Sequence, residues 1–258
     1  MRRIRFRDPA GAVRAGEWVP ADEAGGDTGD LSDGRVRFGG ETFDSDEVDV
    51  LPPCEPSKVV CIGRNYVDHA AERDEAVPDR PLLFLKPPNA VAGHGDEVTL
   101  PAGKERIEYE GELGVVIGEQ CRNVPESDAE DVIAGYTCFV DLSNRDDQRR
   151  EQNWVRGKAF DGSAPMGPVL ATPDEVPADA TIETRVEGET RQSATIDRMV
   201  FSPSELVAEI TSYVTLEPGD VIATGTPEGV GPLADGDRVA VEIEGVGTLE
   251  HTVRFPDR

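Results

Sequence analysis

Short apolar runs that end at glycine or proline recur along this chain, and they constrain its fold more than any other feature. KVVCIG spans residues 58–63, LLFLKPP spans 82–88 and EGELGVVIGE spans 110–119. Apolar runs of this length, bounded by turn residues, are typical of buried β-strands. Near the amino terminus, Ile4 and Phe6 alternate with arginines, which is the pattern of a half-buried strand. The sequence therefore predicts a mixed, mainly β fold.

Two segments carry the signature of a helix start, in which a serine is followed three residues later by a glutamate. Residues 125–135 and 202–220 contain such pairs just before apolar residues, and a proline in the second segment suits the first helical turn. Residues 66–74 form a third, shorter helix candidate. Helices are thus few beside the predicted strands. The serine–glutamate pairs are Ser127–Glu130 and Ser202–Glu205.

The positions of turn and linker residues divide the chain into a small N-terminal β-rich module at residues 1–55 and a larger domain at residues 56–258. An acidic Gly/Asp segment lies between the first strand signals, and Pro52-Pro53 is typical of a linker. No apolar run approaches the roughly 18 residues that a membrane-spanning helix needs. The first residues contain arginines but no apolar segment typical of a signal peptide. We therefore expect a cytoplasmic protein that does not bind membranes.

The charge balance excludes some partners and suggests an environment. Asp and Glu number 52 against 26 Lys and Arg, so the formal net charge is −26. Such a charge repels nucleic-acid backbones and anionic lipid surfaces, and it also destabilises the folded chain by self-repulsion. Molar salt relieves this repulsion because the Debye length there is about 3 Å. We expect a halophilic protein, and equal thermal stability at low and molar KCl would contradict that expectation.

Three carboxylates form the strongest candidate for a metal site. Glu110 and Glu112 are two apart on a predicted strand, so their side chains leave the same face. Asp141 ends the next long apolar run, where a neighbouring strand would place it beside the pair. An all-oxygen ligand set suits Mg²⁺ or Mn²⁺ rather than zinc. The alternative is that both glutamates face solvent on an edge strand, which is common in so acidic a chain.

The order and spacing of further motifs resemble the fumarylacetoacetate hydrolase family over about residues 56–258. The resemblance implies that family's β-rich catalytic fold, with rolled mixed sheets and few helices, and it identifies Glu110, Glu112 and Asp141 as the metal ligands. Members of this family commonly pair, so we expect a homodimer. The matching segments are CIGRNYVDHAAE (61–72), PLLFLKPPNAVAGHGDEVTLP (81–101), YEGELGVVIG (109–118), GYTCFVDLSNRDDQ (135–148), RGKAFDGSAPMGP (156–168) and ATGTPEGVG (223–231).

The resemblance also assigns roles to other residues. His69 and Glu72 lie three apart, and by resemblance they form the general-base dyad; from spacing alone they could equally be a surface pair. Lys158 is retained in a chain that has only four lysines, and we expect it to stabilise an oxyanion or to bind a carboxylate. The predicted catalytic residues are thus His69, Glu72 and Lys158. The predicted substrate-binding residues are Arg64, Tyr66, Lys86, Arg145, Gln148 and Thr226.

The expected substrate is a small 2-oxo or 2,4-dioxo acid, which reacts through a metal-stabilised enolate with Mg²⁺ or Mn²⁺ as cofactor. Hydrolysis of a C–C bond in an acylpyruvate is the preferred interpretation. The alternatives are isomerisation of the 2-hydroxyhepta-2,4-diene-1,7-dioate type, decarboxylation of oxaloacetate and dehydration of a 2-keto-3-deoxy sugar acid. A catalytically silent scaffold that keeps the fold is a further alternative from another class of protein.

Overall fold

The computed structural model of the protein describes residues 1–20, 31, 34–67 and 78–256. His69 and Glu72 lie outside these residues, as does most of the helix predicted at 66–74. Both assignments therefore stay predictions. No helix in the described ranges is both long and apolar enough to cross a bilayer.

Strands dominate the described part of the chain, which confirms the mainly β class. The strands are β1 (Arg2–Arg7), β2 (Val13–Pro20), β3 (Gly34–Phe38), β4 (Glu41–Asp44), β5 (Asp49–Leu51), β6 (Val59–Gly63), β7 (Leu82–Lys86), β8 (Val91–Ala92), β9 (Glu97–Thr99), β10 (Ile107–Glu108), β11 (Gly111–Ile117), β12 (Ile133–Val140), β13 (Ser143–Asn144), β14 (Ala164–Ala171), β15 (Thr181–Val186), β16 (Glu189–Thr195), β17 (Val221–Ala223), β18 (Arg238–Ile243) and β19 (Gly247–Arg254). The α-helices are α1 (Arg145–Gln148), α2 (Val155–Lys158) and α3 (Pro203–Thr211). Short 3₁₀-helices span Ser45–Glu47, Pro88–Ala90, Glu126–Val132, Pro173–Glu175 and Ile196–Arg198.

Two sheets and a short strand pair organise these elements. The larger sheet has the order β4-β3-β2-β1-β14-β12-β11-β17-β6-β7, with β5 on β1 and β8 on β14. The smaller sheet has the order β16-β15-β18-β19-β9, and β10 pairs with β13 separately. One apolar cluster joins the two sheets, because it contains Leu113 and Cys138 of the larger sheet and Val241 and Leu249 of the smaller one. The sheets therefore pack face to face.

The first strand links the N-terminal segment to the larger domain. Ile4 and Phe6 are buried on β1 while the intervening Arg5 is only half-buried, as the alternation predicts. β1 also pairs antiparallel with β14, at Arg3 and Leu170. The N-terminal strands therefore extend the larger sheet, and the proposed division at residue 55 separates two segments that share it.

Of the two capped helices that the sequence predicts, one has the predicted cap. Ser202 accepts a hydrogen bond from the Glu205 N–H and completes a capping box at the start of α3, although the helix ends at Thr211 rather than near residue 220. For 125–135 a helix is present but the predicted cap is wrong. That segment is a 3₁₀-helix preceded by Pro125, and Ser127 lies inside it, where its hydroxyl donates to Asp128 instead of capping.

The register between β11 and β12 determines where the candidate metal ligands lie. Gly111 is paired with Val140 across these antiparallel strands. Glu110 and Asp141 are therefore the next residues beyond the paired ends, and the Asp141 N–H donates to the Glu110 carbonyl at 2.8 Å. Glu112 is one step inside β11. Adjacent strands thus bring together carboxylates that are about thirty residues apart in the chain.

Candidate active site

Glu110, Glu112 and Asp141 form a buried cluster of carboxylates. One oxygen from each side chain lies within 4.8 Å of the others. Glu110 is 5% exposed, and Glu112 and Asp141 are each 1% exposed. This burial excludes the alternative in which the two glutamates face solvent on an edge strand. Three carboxylates this close repel one another strongly in a buried setting unless cations separate them.

Lys158 and Arg145 supply two of those cations. The Lys158 ammonium donates to Glu110 Oε2 at 2.6 Å and to Asp141 Oδ2 at 2.5 Å. Its third N–H is directed to the Ser143 hydroxyl. The Arg145 guanidinium forms an ion pair with Glu110 and donates from Nε to Glu108 Oε2 at 2.6 Å. Both cations are therefore fixed by buried partners at the carboxylate cluster.

Lys86 is the third cation, and it lies behind Asp141. Its ammonium is 2.7 Å from Asp141 Oδ1 and donates to the carbonyls of Ser163 and Leu142 at 2.6 and 3.3 Å. The Lys86 side chain is fully buried. It holds Asp141 from the side of the protein interior, and this contact accounts for the retention of Lys86 without any substrate contact.

Burial and charge act in opposite directions on the titratable groups here. Burial raises the pKa of Glu112 well above its usual value, and the negative charges of Asp141 and Glu110 raise it further. Burial lowers the pKa of Lys158, but the carboxylates of Asp141 and Glu110 outweigh it and raise that pKa above its usual value. The lysine therefore stays charged, while Glu112 forms no ion pair with any cation in the described ranges. A divalent cation would supply the missing positive charge.

The loop after β17 completes the surroundings of Glu112. The Gly225 N–H donates to Glu112 Oε2 at 2.8 Å. Gly225 has φ +94°, and a Cβ there would lie 2.8 Å from the Cβ of Asn65, so only glycine fits. The Thr226 hydroxyl donates to the Gly111 carbonyl at 2.8 Å and accepts from Gln192 at 2.7 Å. Gln192, which also accepts from the Gly111 N–H at 3.0 Å, was not among the predicted site residues.

A cavity of about 290 Å³ opens over the carboxylates. Two of its residues, Arg64 and Trp154, have positive φ values of 61° and 55°, which are rare outside glycine and often mark functional sites. Trp154 packs edge-on against Phe84, whose ring centroid lies 5.0 Å from the Lys158 ammonium. Aromatic side chains therefore line one side of the cavity, next to its charged floor, which Glu110, Glu112 and Asp141 form. The lining residues are Ile62, Gly63, Arg64, Leu82, Phe84, Glu110, Glu112, Asp141, Arg145, Gln148, Arg149, Trp154, Lys158 and Thr226.

Most of the predicted substrate-binding residues border this cavity. Arg64, Arg145, Gln148 and Thr226 line it, whereas Lys86 and Tyr66 do not. Tyr66 is 2% exposed, and its hydroxyl has no hydrogen-bond partner among the described residues. The substrate roles of all six residues stay predictions. Those of Lys86 and Tyr66 would require contacts that this arrangement does not show.

Sequence analysis missed Glu108, a buried carboxylate that pairs with both Arg145 and Arg106. Its pKa is lowered because Arg145 and Arg106 outweigh the opposing effect of burial. The signal was present in the sequence, since Glu108, Glu110 and Glu112 alternate with other residues at period 2. Glu108 fixes the orientation of Arg145, and Gln148 accepts from the same guanidinium at 2.7 Å.

Comparison with known proteins gives a consistent family. The family described as "Fumarylacetoacetate (FAA) hydrolase C-terminal" matches this chain over residues 58–254. The oxaloacetate tautomerase YisK of Bacillus subtilis is 38% identical over 264 residues, covering 95% of this chain and 82% of its own. The crystal structure of 2-hydroxyhepta-2,4-diene-1,7-dioate isomerase from Mycobacterium marinum is 36% identical, with TM-score 0.88 and full coverage of both chains. Fumarylpyruvate hydrolase from Pseudomonas aeruginosa, solved with Mn²⁺ and pyruvate, is 36% identical, with TM-score 0.74 and coverage of 81% and 92%.

Proposed function

The chain belongs to the fumarylacetoacetate hydrolase family, and from this premise we propose that it is a divalent-metal-dependent enzyme that converts a 2-oxo acid through its enolate. The observation that carries this proposal is the buried cluster of Glu110, Glu112 and Asp141 at the floor of a cavity. Relatives named for isomerase, hydrolase and tautomerase activities share the fold. Enolate formation from a 2-oxo acid is a step that reactions of all three kinds can share.

The three carboxylates fit Mg²⁺ or Mn²⁺. Their donor atoms are all oxygens, which these hard cations prefer, and burial together with the charges of Asp141 and Glu110 raises the pKa of Glu112, an effect that a bound cation would oppose. When bound, such a cation polarises the 2-oxo group and offsets the charge of the enolate. The Mn²⁺ named in the fumarylpyruvate hydrolase structure supports this assignment.

Lys158 and Arg145 contribute to the same chemistry in two ways. Each donates to Glu110, and Lys158 also donates to Asp141, so together they keep two of the proposed ligands in fixed orientations. Both side chains also line the cavity, where their charges favour the build-up of negative charge on a substrate oxygen. They act without solvent reorganisation because each is less than 5% exposed.

Among the reactions that remain open, we favour proton transfer between the keto and enol forms of the substrate. This step moves one proton between the C3 carbon and the 2-oxo oxygen, so one acid–base group can take it from one atom and return it to the other, and no attacking water is needed. The printed activities of an oxaloacetate tautomerase covering 95% of this chain and an isomerase covering all of it support this choice. The base in this proposal is the dyad of His69 and Glu72. Proton transfer thereby replaces hydrolysis as our preferred interpretation.

Acylpyruvate hydrolysis is the second candidate. The specific observation in its favour is the similarity to fumarylpyruvate hydrolase, at 36% identity over 81% of this chain. Hydrolysis would use the same enolate-stabilising groups and would add a water that the dyad activates. The two candidates therefore differ in what enters the cavity, rather than in the residues of its described floor.

The decisive experiment compares metal-stripped and Mn²⁺-loaded protein on two substrates. Ketonisation of enol-oxaloacetate is followed by loss of the enol absorbance, and hydrolysis of acetylpyruvate is followed by pyruvate formation. We expect metal-dependent turnover that falls about 100-fold in Glu110→Gln and Asp141→Asn. Glu119→Gln is the matched control, because Glu119 ends the same apolar run but is exposed. Its activity should stay within about twofold of the wild-type value.

The outcomes separate the alternatives. Faster metal-dependent turnover of oxaloacetate supports tautomerisation, and faster pyruvate release from acetylpyruvate supports hydrolysis. If a broad panel of 2-oxo acids gives no metal-dependent turnover, the proposed function is wrong and the scaffold alternative holds.

A further inference from the structure

Basic residues outnumber acidic ones in the lining of the cavity, whereas acidic residues predominate in the chain as a whole. In the whole sequence, acidic residues outnumber lysines and arginines by 52 to 26. Among the lining residues, four basic side chains face three acidic ones, and those three are the proposed metal ligands. A divalent cation would make the lining strongly positive. Such a surface attracts an anion that carries more than one negative charge.

Three of the four basic side chains already have partners. The three N–H groups of the Lys158 ammonium are directed to Glu110, Asp141 and Ser143. The Arg145 guanidinium donates to Glu108, Glu110 and Gln148. Arg64 also has an interaction partner of its own. All three N–H donors of Lys158 and three of the five of Arg145 are therefore already directed to protein groups before any substrate arrives.

Arg149 is the fourth, and it differs from the others. Its side chain is exposed at the cavity, and no carboxylate in the described part of the chain forms an ion pair with it. Its donors are therefore available to a ligand inside this cavity, and a guanidinium matches a carboxylate in a bidentate arrangement.

The position of Arg149 relative to the floor suggests which carboxylate it would bind. Arg145 is buried in α1, and Arg149 caps that helix four residues later, so both side chains leave the same face. Four helical residues rise about 6 Å. Arg149 is exposed whereas Arg145 is buried, so among these two lining residues Arg149 lies on the side of the cavity that is open to solvent.

Resting on the function proposed above, we infer that Arg149 is a specificity-determining residue that binds the distal carboxylate of a short dicarboxylic 2-oxo acid. With a divalent cation held by Glu110, Glu112 and Asp141, the 2-oxo carboxylate end would face that cation, and the second carboxylate would meet Arg149 at the rim. The cavity volume of about 290 Å³ suits a small substrate of this kind. Monocarboxylic 2-oxo acids would leave Arg149 unused.

The test uses two substrates that differ only in the distal charge, oxaloacetate and its 4-methyl ester. Arg149→Gln should raise KM for oxaloacetate about tenfold and leave kcat within about twofold, because one charge-assisted contact is lost. KM for the ester should not change. Arg149→Lys should recover part of the loss. Arg150→Gln is the matched control, since Arg150 is the next residue, is also exposed and does not line the cavity.

The results distinguish this inference from the function on which it rests. If wild-type protein with Mn²⁺ turns over acetylpyruvate but not oxaloacetate, the role of Arg149 is wrong and the proposed function stands; if it turns over no 2-oxo acid of the panel, the proposed function fails. If wild-type protein turns over both oxaloacetate and its ester, but Arg149→Gln changes both KM values equally or Arg150→Gln has the same effect, only the role of Arg149 is wrong. All assays share one KCl concentration, because salt screens charge effects at the rim.

Discussion

Ion pairs occur both at the cavity floor and on the N-terminal strands, and the two groups differ mainly in burial. The side chains of Lys158 and Asp141 are 4% and 1% exposed. Those of Arg35 and Asp44, which join β3 to β4, are 61% and 62% exposed. Water screens the second pair and leaves the first almost unscreened. The same residue types therefore form a site in one region and a solvated surface in the other.

This difference shows why composition is a poor guide in so acidic a chain. Carboxylates are abundant everywhere, so neither an E-x-E pattern nor an acid–base pair identifies a site by itself. A buried carboxylate needs a cation, and that need links Glu108, Glu110, Glu112 and Asp141 to the few cations nearby. Burial should therefore determine how strongly each charged group responds to mutation, metal binding and pH.

The largest effect is expected at Lys86. Lys86→Met would leave Asp141 Oδ1 and the carbonyls of Ser163 and Leu142 without their cation, so the free energy of unfolding should fall by about 3–5 kcal/mol. Urea unfolding at constant KCl measures this change. Arg35→Met is the control on the exposed side and should alter stability by less than about 1 kcal/mol. Similar losses in both variants would contradict the comparison.

Metal binding should stabilise the floor by a smaller amount. Mn²⁺ at 100 times its Kd should raise the free energy of unfolding of the wild-type protein by about 2.7 kcal/mol. Asp141→Asn removes one anionic ligand, so the gain at the same concentration should fall below about 1 kcal/mol. Glu119→Gln should keep the full gain. An equal gain in all three proteins would place the cation elsewhere.

The pH dependence of the unfolding free energy tests the burial of His251. His251 is 1% exposed, and burial, with a smaller contribution from His94, lowers its pKa to about 3. The unfolded chain therefore binds this proton near pH 6.5, and the folded chain does so only near pH 3. Stability is complete above pH 6.5 and is lost as pH falls towards 3, with a slope of about 1.4 kcal/mol per pH unit. The measurement is the unfolding free energy at pH 6 and at pH 4. This contribution to the pH dependence should be absent in His251→Leu. An unchanged pH dependence would show that His251 is hydrated.

The smallest effect is expected for the exposed pair. A double-mutant cycle on Arg35→Gln and Asp44→Asn should give a coupling energy below about 1 kcal/mol, and it should vanish in molar KCl. The measurement is unfolding free energy at low and high salt. A coupling energy of several kcal/mol would mean that exposure does not weaken ion pairs in this chain.

Several elements of the site follow from local sequence. Period 2 predicts that Glu112 in β11 and Glu110, the residue just before that strand, leave one face, because successive side chains point to opposite faces. The apolar run before Asp141 predicts a strand that ends at that residue. The Ser202–Glu205 capping box predicts the start of α3 because the box involves only neighbouring residues. The failure at Ser127 shows the limit, since the same pattern can lie inside a 3₁₀-helix.

The sequence by itself thus determined the class of fold, the family resemblance and the trio of candidate ligands, because these depend on local periodicity and on the order of motifs. Only the tertiary structure decided that the trio is buried, that Lys86 supports Asp141 from 55 residues away, and that Glu108 orients Arg145. It also decided that Arg149 lines the cavity and that Arg150 does not. The physical reason is that burial and ion pairing are set by long-range contacts, whereas sequence patterns report only on neighbours along the chain.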